Sequence, residues 1–591
     1  MPVQPSPPLL RPATALPTPV GEVAELTGAR LNSGEGTGIE ITGIEQRSNA
    51  VQPGDLFAAL AGAKAHGARF AADALERGAV AVFTDAAGAE LIGEVGVPVL
   101  VHADPRAVLG ELSSALYGHP SRRLRVIGIT GTSGKTTTSY LVEAGLAAAG
   151  HSTALIGTIQ TRIGGETVPS ALTTPEAPQL HAMFALMVER GVDTVVMEVS
   201  SHALALGRVD GVHFSVGGFT NLSQDHLDFH ADFEDYFAAK RRLFVPDPVS
   251  AHRQAPADTS VVCVDDAWGK RLAREASGHG RVVTVATTEC PTVETQPEWT
   301  LSEASALADG GQRFTATGPA GTIPGRLRLP GRYNIANALL AMAICAEVQA
   351  DPSVVAAALA DVDVPGRMQR VDEGQEFLAL VDYAHKPAAV ESVIATLRRQ
   401  LGADEARLAV VVGAGGDRDA GKRPLMGATA ARGADLLVIT DDNPRTEDPA
   451  EIRAALRAGA LGVAEPERGE VREIGDRAEA IAAAVEWARP GDAVLVAGKG
   501  HETGQEIAGV KYPFDDCEVL SRAILHKSSA AEPDDSASGG SGPEAAARVT
   551  TQGRRPTPDD SASGGSGPEA AARVTTQGRR PTPDDKDLTV S

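Results

Sequence analysis

Between Val126 and Thr138 the chain reads Val-Ile-Gly-Ile-Thr-Gly-Thr-Ser-Gly-Lys-Thr-Thr-Thr, a short β-branched run followed by glycines, hydroxyls and one lysine. Gly131 and Gly134 let the backbone come close to an anion. Thr132 and Ser133 lie between them. The N–H groups that open a helix at Lys135 point at such an anion, and the helix dipole supports them. Lys135 can reach terminal phosphates, Thr136 can hold Mg²⁺ through its hydroxyl, and Thr137 continues the loop into the helix. The common pattern G-x-x-x-x-G-K-[ST] is not met. Five residues before Gly134 stands Ile129, and the earlier glycine is Gly131, so the loop is a shorter relative of that pattern.

Other polar residues gather further on. Glu198, Ser200, His202 and Arg208 lie in Met-Glu-Val-Ser-Ser-His-Ala-Leu-Ala-Leu-Gly-Arg. Glu198 closes a strand-like run, where a carboxylate can serve as an oxygen ligand for Mg²⁺. Asp225, His226, Asp228 and His230 crowd one loop; that spacing suits a metal site or a solvated turn. Lys240 falls between apolar residues of an amphipathic stretch, where a lysine ordinarily snorkels to the surface.

The elements that must position these groups alternate between strands and helices. Arg-Val-Ile-Gly-Ile-Thr, Asp-Thr-Val-Val-Met, Leu-Ala-Leu-Val-Asp, Leu-Ala-Val-Val-Val, Leu-Leu-Val-Ile-Thr-Asp and Ala-Val-Leu-Val-Ala read as strands separated by Ala/Leu-rich helices. That order predicts α/β domains with mostly parallel sheets. A polar cluster follows the carboxyl end of each of those six runs. Open α/β sheets bind ligands in the crevice at that edge. The helix after the glycine loop is expected over 135–149, with Gly150 as its stop. Boundaries are expected near 124 and 364, giving segments 22–124, 125–364 and 365–527.

The 591 residues suit roughly three domains. With 54 Lys plus Arg against 77 Asp plus Glu the net charge is −23, which argues against a general nucleic-acid or membrane-surface binder. Apolar residues at 42% are enough to build the cores. Cys263, Cys290, Cys345 and Cys517 are widely spaced, as expected of free thiols in a reducing cytosol. No apolar run has the length of a membrane helix. The proline-rich stretch 1–21 reads as a disordered lead-in rather than a signal peptide. Residues 534–558 recur identically at 559–583, with almost no apolar content, so 528–591 is expected to be a disordered, duplicated tail.

Ten motifs occur in order: GTSGKTT, EVSSHAL, NLSQDHLDFH, AAKRRLF, PGRYNIANALLA, PGRMQRV, DYAHKP, GGDRDAGKRPLM, DDNPR and AGKGHE. In these motifs the chain resembles the Mur ligases of peptidoglycan synthesis, and among them the tripeptide synthetases, over about 40–527. The resemblance implies three α/β domains. The first binds the UDP end of a substrate, the central P-loop-like domain binds ATP and Mg²⁺, and the C-terminal Rossmann-like domain brings an amino acid. The implied partners are small molecules, a UDP-muramyl dipeptide and diaminopimelate. No nucleic acid or membrane is implied, and the protein is expected to be a cytoplasmic monomer.

The resemblance also implies residue roles. Lys135, Lys240, His226 and Glu198 are the catalytic candidates, and Thr136, Glu198, His226 and Lys240 fall in the Mg²⁺ region. Lys240 matches a lysine carbamylated in the family, which replaces the snorkelling reading. Beside the loop Gly131–Thr137, the nucleotide is implied to meet Asn334, Asn337, Arg367, Asp382 and His385. Ser48, Thr173, Thr174, Ser200 and Arg208 match contacts to the UDP-sugar peptide. Asp442, Asn443, Pro444 and Arg445, with Arg418, Gly498 and Glu502, match contacts to diaminopimelate. An Arg fork binds its second carboxylate bidentately and Glu502 can take the ammonium. Lysine lacks that carboxylate, so Arg445 argues against a lysine-adding or folylpolyglutamate-type ligase. A phosphate loop would equally serve a non-catalytic nucleotide binder or a P-loop kinase or GTPase, though no N-K-x-D guanine signal occurs. Three positions depart from the family pattern: Lys386 stands where Thr is usual, Leu206 where Gln is common, and Arg47-Ser-Asn49 replaces Asp-Ser-Arg.

Overall fold

The computed structural model describes residues 10–531, apart from 15, 33–37, 63–64, 227–228, 248–254, 289–295, 308–309 and 402–405. Three main sheets organise it. The first runs Arg30–Leu31, Val99–Val101, Ala81–Thr84, Asp55–Ala58 and Gly43–Glu45 in spatial order, with only the first of these antiparallel.

The second sheet has eleven strands. At its centre β1 (Arg125–Thr130) lies between β2 (Thr194–Glu198) and β3 (Val216–Phe219), all parallel. These strands are buried on both faces, which explains their near-continuous β-branched sequence. One face is covered by α1 (Lys135–Ala148) and α4 (Arg332–Glu347), whose Leu141, Leu146, Leu339 and Ile344 pack with Ile127 and Ile129. The opposite face packs Leu180 and Phe184 of α2 (Ala177–Glu189) and Tyr236 and Phe237 of α3 (Phe233–Arg241) with Val126 and Val195.

The third sheet orders Gln369–Arg370, β4 (Leu378–Asp382), β7 (Ala493–Ala497), β5 (Leu408–Val412), β6 (Leu436–Ile439) and Glu470–Glu473. Only its first strand is antiparallel. A separate hairpin, β8 (Gly504–Ile507) and β9 (Val510–Pro513), follows β7. All six sequence-predicted runs are therefore strands: two lie in the second sheet and four in the third.

Some expectations need correction. The lead-in, expected to be disordered over 1–21, is structured at its described residues 10–14 and 16–21. Arg11 donates to both Asp55 oxygens at 2.7 and 2.8 Å and reaches Glu45 at 3.5 Å. Asp55 and Glu45 are each 1% exposed, so Arg11 neutralises two carboxylates that burial would otherwise penalise. Ala13 and Thr14 donate their N–H groups to Glu189 at 2.8 and 3.1 Å. At the other end the last helix covers Asp516–Ala531, past the expected start of the tail at 528. The duplicated repeats lie outside the described residues. The phosphate-loop helix ends at Ala148, and Gly150 follows with φ 92°. Cys263, Cys345 and Cys517 are free thiols, and Cys290 lies outside the described residues.

Candidate active site

The loop after β1 turns at Gly131, whose φ is 143° and whose missing Cβ leaves room for the Thr220 hydroxyl. The residues after β3 hold it in place. Thr220 donates its hydroxyl to Ser133 O at 2.7 Å, Asn221 O accepts from Thr132 N at 2.9 Å, and Asn221 Oδ1 accepts from Ser133 N at 3.1 Å. Gly134 begins α1 at φ 87°, with the Asn337 amide packed where a side chain would stand. Thr138 donates to Asn337 Oδ1 at 3.3 Å, and Asn337 donates to Asn334 Oδ1 at 3.1 Å. The structure thus packs Asn337 against the loop and Asn334 against Asn337. Thr136 and Thr137 are buried in the first turn of α1.

Two lysines converge on one peptide oxygen. Lys135 Nζ donates to Gly131 O and Thr132 O, each at 3.0 Å, and Lys240 Nζ donates to Gly131 O at 2.8 Å. Lys240 is 1% exposed and its ammonium sits 4.6 Å from the Tyr236 ring centre. It does not snorkel: its place near the C-terminal end of α3 aims it inward, under the loop. Burial, then the neighbouring Lys135, push its pKa well below the ordinary lysine value. Burial also lowers Lys135, against the opposing pull of Glu198 and Asp225.

Glu198, at the end of β2, accepts from the Thr136 hydroxyl at 2.9 Å, from Thr158 N at 2.7 Å and from the Thr158 hydroxyl at 3.0 Å. The Thr136 hydroxyl and a carboxylate are hard oxygen donors of the kind Mg²⁺ takes. His226 has φ 54°, and its imidazole lies 3.5 Å from Asp225 Oδ2. Burial, with Lys386, His202 and Lys135 nearby, lowers its pKa to about 4, against the raising effect of Asp225, so the ring is neutral near pH 7. Among the described residues no group of three or more His, Cys, Asp or Glu forms a metal cage, and Asp228 lies outside them. The Thr136 hydroxyl and the Glu198 carboxylate together fit an ion such as Mg²⁺, which keeps most of its waters and takes few protein oxygens.

The third sheet reaches this edge. Lys386, which follows β4, makes an ion pair with Asp225. Burial pushes Asp225 upward, and the Lys386 ammonium overrides it and holds that carboxyl below its ordinary range. Arg367 lies 4.5 Å from the Tyr383 ring centre and contributes to lowering Lys135. Asp382 accepts from Met368 N and Ala384 N, both at 2.8 Å. His385 is lowered to about 4, mainly by burial, and its carbonyl accepts from Lys422 at 3.0 Å. Arg367, Asp382 and His385 therefore lie close together.

The remaining candidates form two further groups. Near Glu198, the Thr174 hydroxyl donates to Glu198 O at 2.9 Å, Thr173 bonds Thr158 at 3.1 Å, and Arg208 donates to Thr174 O at 3.3 Å. Ser200 caps a short helix by accepting from Ala203 N at 3.1 Å. Ser48 lies instead beside the first sheet, where its hydroxyl bonds Asp73. In the third sheet, Asn443 donates to Glu502 at 2.8 Å and accepts from Lys499 at 3.0 Å. Lys499 also lies 3.5 Å from both Asp442 and Glu502. Asp442 in turn fills the space beside Gly498, and Pro444 is buried next to it. Arg445 donates to Gly416 O at 2.6 Å, and Arg418 is exposed on the neighbouring loop.

Sequence reasoning missed several members: Thr158, Lys422, Lys499 and the pairing of Asp225 with Lys386. Lys499 sits inside the AGKGHE motif, yet nothing local marks it as fully buried. Lys386 was visible only as a departure from the usual Thr.

Comparison with known proteins places these features in a family. Residues 40–117 match "Mur ligase family, catalytic domain", 129–345 match "Mur ligase middle domain" and 366–500 match "Mur ligase, glutamate ligase domain". A Corynebacterium efficiens protein named UDP-N-acetylmuramoyl-L-alanyl-D-glutamate--2,6-diaminopimelate ligase is 52% identical over 524 residues, 88% of this chain and 97% of its own. A Streptomyces coelicolor protein of the same name is 52% identical over 88% of this chain and 98% of its own. A solved structure of an enzyme with that name superimposes with a TM-score of 0.61 at 30% identity, covering 87% of this chain and all of its own.

Proposed function

The chain belongs to the Mur ligase family, and we propose on that premise that it is an ATP-dependent, ADP-forming amide ligase acting in peptidoglycan precursor synthesis. It joins diaminopimelate, in its meso form, to UDP-N-acetylmuramoyl-L-alanyl-D-glutamate. The observation that carries the reading is the meeting of two strand edges. The edge of the second sheet that carries the phosphate loop is joined to the third through Lys386 and Asp225, and the third also carries the Asp442–Arg445 loop.

The free D-glutamyl carboxylate attacks the γ-phosphorus of ATP, forming an acyl phosphate and releasing ADP. The amine of diaminopimelate then attacks the acyl carbon and loses a proton, and phosphate leaves as the amide forms. A carboxylate approaching a triphosphate meets like charge, so positioning and cations must lower the barrier. Gly131–Thr137 cradle the phosphates, and Lys135 turns its ammonium from the peptide oxygens to them. Asn334, Asn337, Arg367, Asp382 and His385 border the nucleotide.

Thr136, Glu198 and His226 would hold Mg²⁺, which when bound neutralises and orients phosphate oxygens. Burial lowers the pKa of Lys240 and so favours its free amine, the form that adds CO₂ with loss of a proton, and the resulting carbamate gives the same place a negative charge. Ser48, Thr173, Thr174, Ser200 and Arg208 take the UDP-sugar peptide. Arg418, Arg445 and Asn443 take the distal carboxylate of diaminopimelate, Glu502 takes its ammonium, and Asp442, Pro444 and Gly498 shape the pocket. We place the reaction in the cytoplasm, on a monomer. No helix among the described residues is long and apolar enough to cross a membrane.

The test supplies purified protein with ATP, Mg²⁺ and the UDP-dipeptide and compares phosphate release with diaminopimelate and with lysine. Release with diaminopimelate and little with lysine is expected. Equal or faster release with lysine overturns the assignment.

A further inference from the structure

Glu506, on the β8–β9 hairpin, has no part in the reaction above, yet it is bound up with Arg445. Arg445 N donates to Glu506 O at 3.0 Å, Ala508 N donates to Arg445 O at 2.6 Å, and Glu506 N donates to Asn443 Oδ1 at 2.9 Å. These bonds hold Arg445 at φ 52°, a conformation that arginine rarely adopts. They also bring two side chains together: Glu506 Oε2 lies 3.6 Å from Arg445 Nε. Arg445 Nη1 is engaged on the other flank by Gly416 O at 2.6 Å. The fork therefore faces a carboxylate belonging to the chain itself.

We propose that Glu506 limits the advantage that Arg445 gives to diaminopimelate, as an internal carboxylate that the distal carboxylate of diaminopimelate must replace on Arg445. This rests on the reading of Arg445 as the partner of that carboxylate. The exchange has two effects. An amino acid without a second carboxylate leaves the Arg445–Glu506 pair in place and gains nothing from Arg445. One that has the carboxylate gains only the difference between its own pairing and that of Glu506. The hairpin makes the exchange feasible: Glu506 is 43% exposed at its side chain, and Lys511, which stands opposite it on β9, is also exposed, so little packing opposes a swing of the carboxylate toward water.

The sign of the outcome separates this role from a structural one. Removing a packing residue weakens binding, whereas removing a competitor strengthens it. Glu506→Gln, and independently Glu506→Ser, are expected to lower the KM for diaminopimelate about two- to fivefold, the range of a half-exposed ion pair. The effect appears in KM rather than in kcat, with lysine no better a substrate. In an Arg445→Met background the same substitutions are expected to leave the KM for diaminopimelate where Arg445→Met alone puts it. A KM for diaminopimelate that stays level or rises in both Glu506 variants overturns the proposal, and so does a fall that persists without Arg445. Wild-type protein that releases no phosphate with diaminopimelate instead overturns the function itself.

Discussion

At the phosphate loop, Lys135 and Lys240 turn both ammonium groups onto the Gly131 carbonyl, while in the third sheet Lys499 meets Asp442, Asn443 and Glu502. The hydrogen-bond partners of the first two are peptide oxygens, which carry only partial charge. Burial therefore drives both lysines toward the neutral form. Lys499, as buried as Lys240, lies instead beside two carboxylates. A polyanionic ligand completes the charge balance at the phosphate loop. At the loops proposed to take the amino acid the balance is already made within the chain, so on that proposal a zwitterion would bind there by exchanging partners. The same contrast separates a site that gains from any phosphate from one that discriminates among amino acids.

The sharpest way to break the comparison is at Lys240. Lys240→Ala should lower kcat about a thousandfold or more, the scale of a lost charge in a preorganised site, with partial recovery in added formate or acetate. Full activity in the variant would mean that the buried amine serves packing alone. Next in size is Arg445→Met, expected to reduce kcat/KM for diaminopimelate about 10- to 100-fold through loss of charged hydrogen bonds, with little change for lysine. Equal losses for both amino acids would erase the distinction between exchange and discrimination.

The smallest effect concerns the link between the regions. Lys386→Thr removes the partner of Asp225 and should lower kcat/KM by about two- to fivefold. Because half-exposed pairs are screened, the deficit should shrink between roughly 50 mM and 500 mM salt. A deficit indifferent to salt would show that Lys386 acts by shape rather than charge.

Much of this was legible in the chain. The six strand ends could be read because buried parallel strands are continuous apolar runs, and polar residues begin where they stop. Gly131 and Gly134 announced the loop, since both take positive φ that other residues resist. The environment of a single side chain was not legible from its neighbours in sequence. Lys240 has the local pattern of a surface lysine, and only the packing of α3 beneath the loop makes it a core residue. Lys386 and Asp225 are separated by 161 residues, and no periodicity reports such a pairing. Glu506 escaped notice because its meaning depends on a bridge between Arg445 and Ile507 that belongs to neither motif. The lead-in misled through composition: prolines argued for disorder, while one arginine with two buried carboxylates fixed the segment.

That segment also dictates an order of events during synthesis. Ala13 and Thr14 close on Glu189, which lies 176 and 175 residues later. At about 5–20 residues per second, translation delivers Glu189 on the order of 10 s or more after Thr14. The strands between Arg30 and Val101 are complete well before then. The opening stretch of the chain can thus dock through Arg11 early, but it becomes a clasp between the first and second sheets only once α2 has left the ribosome.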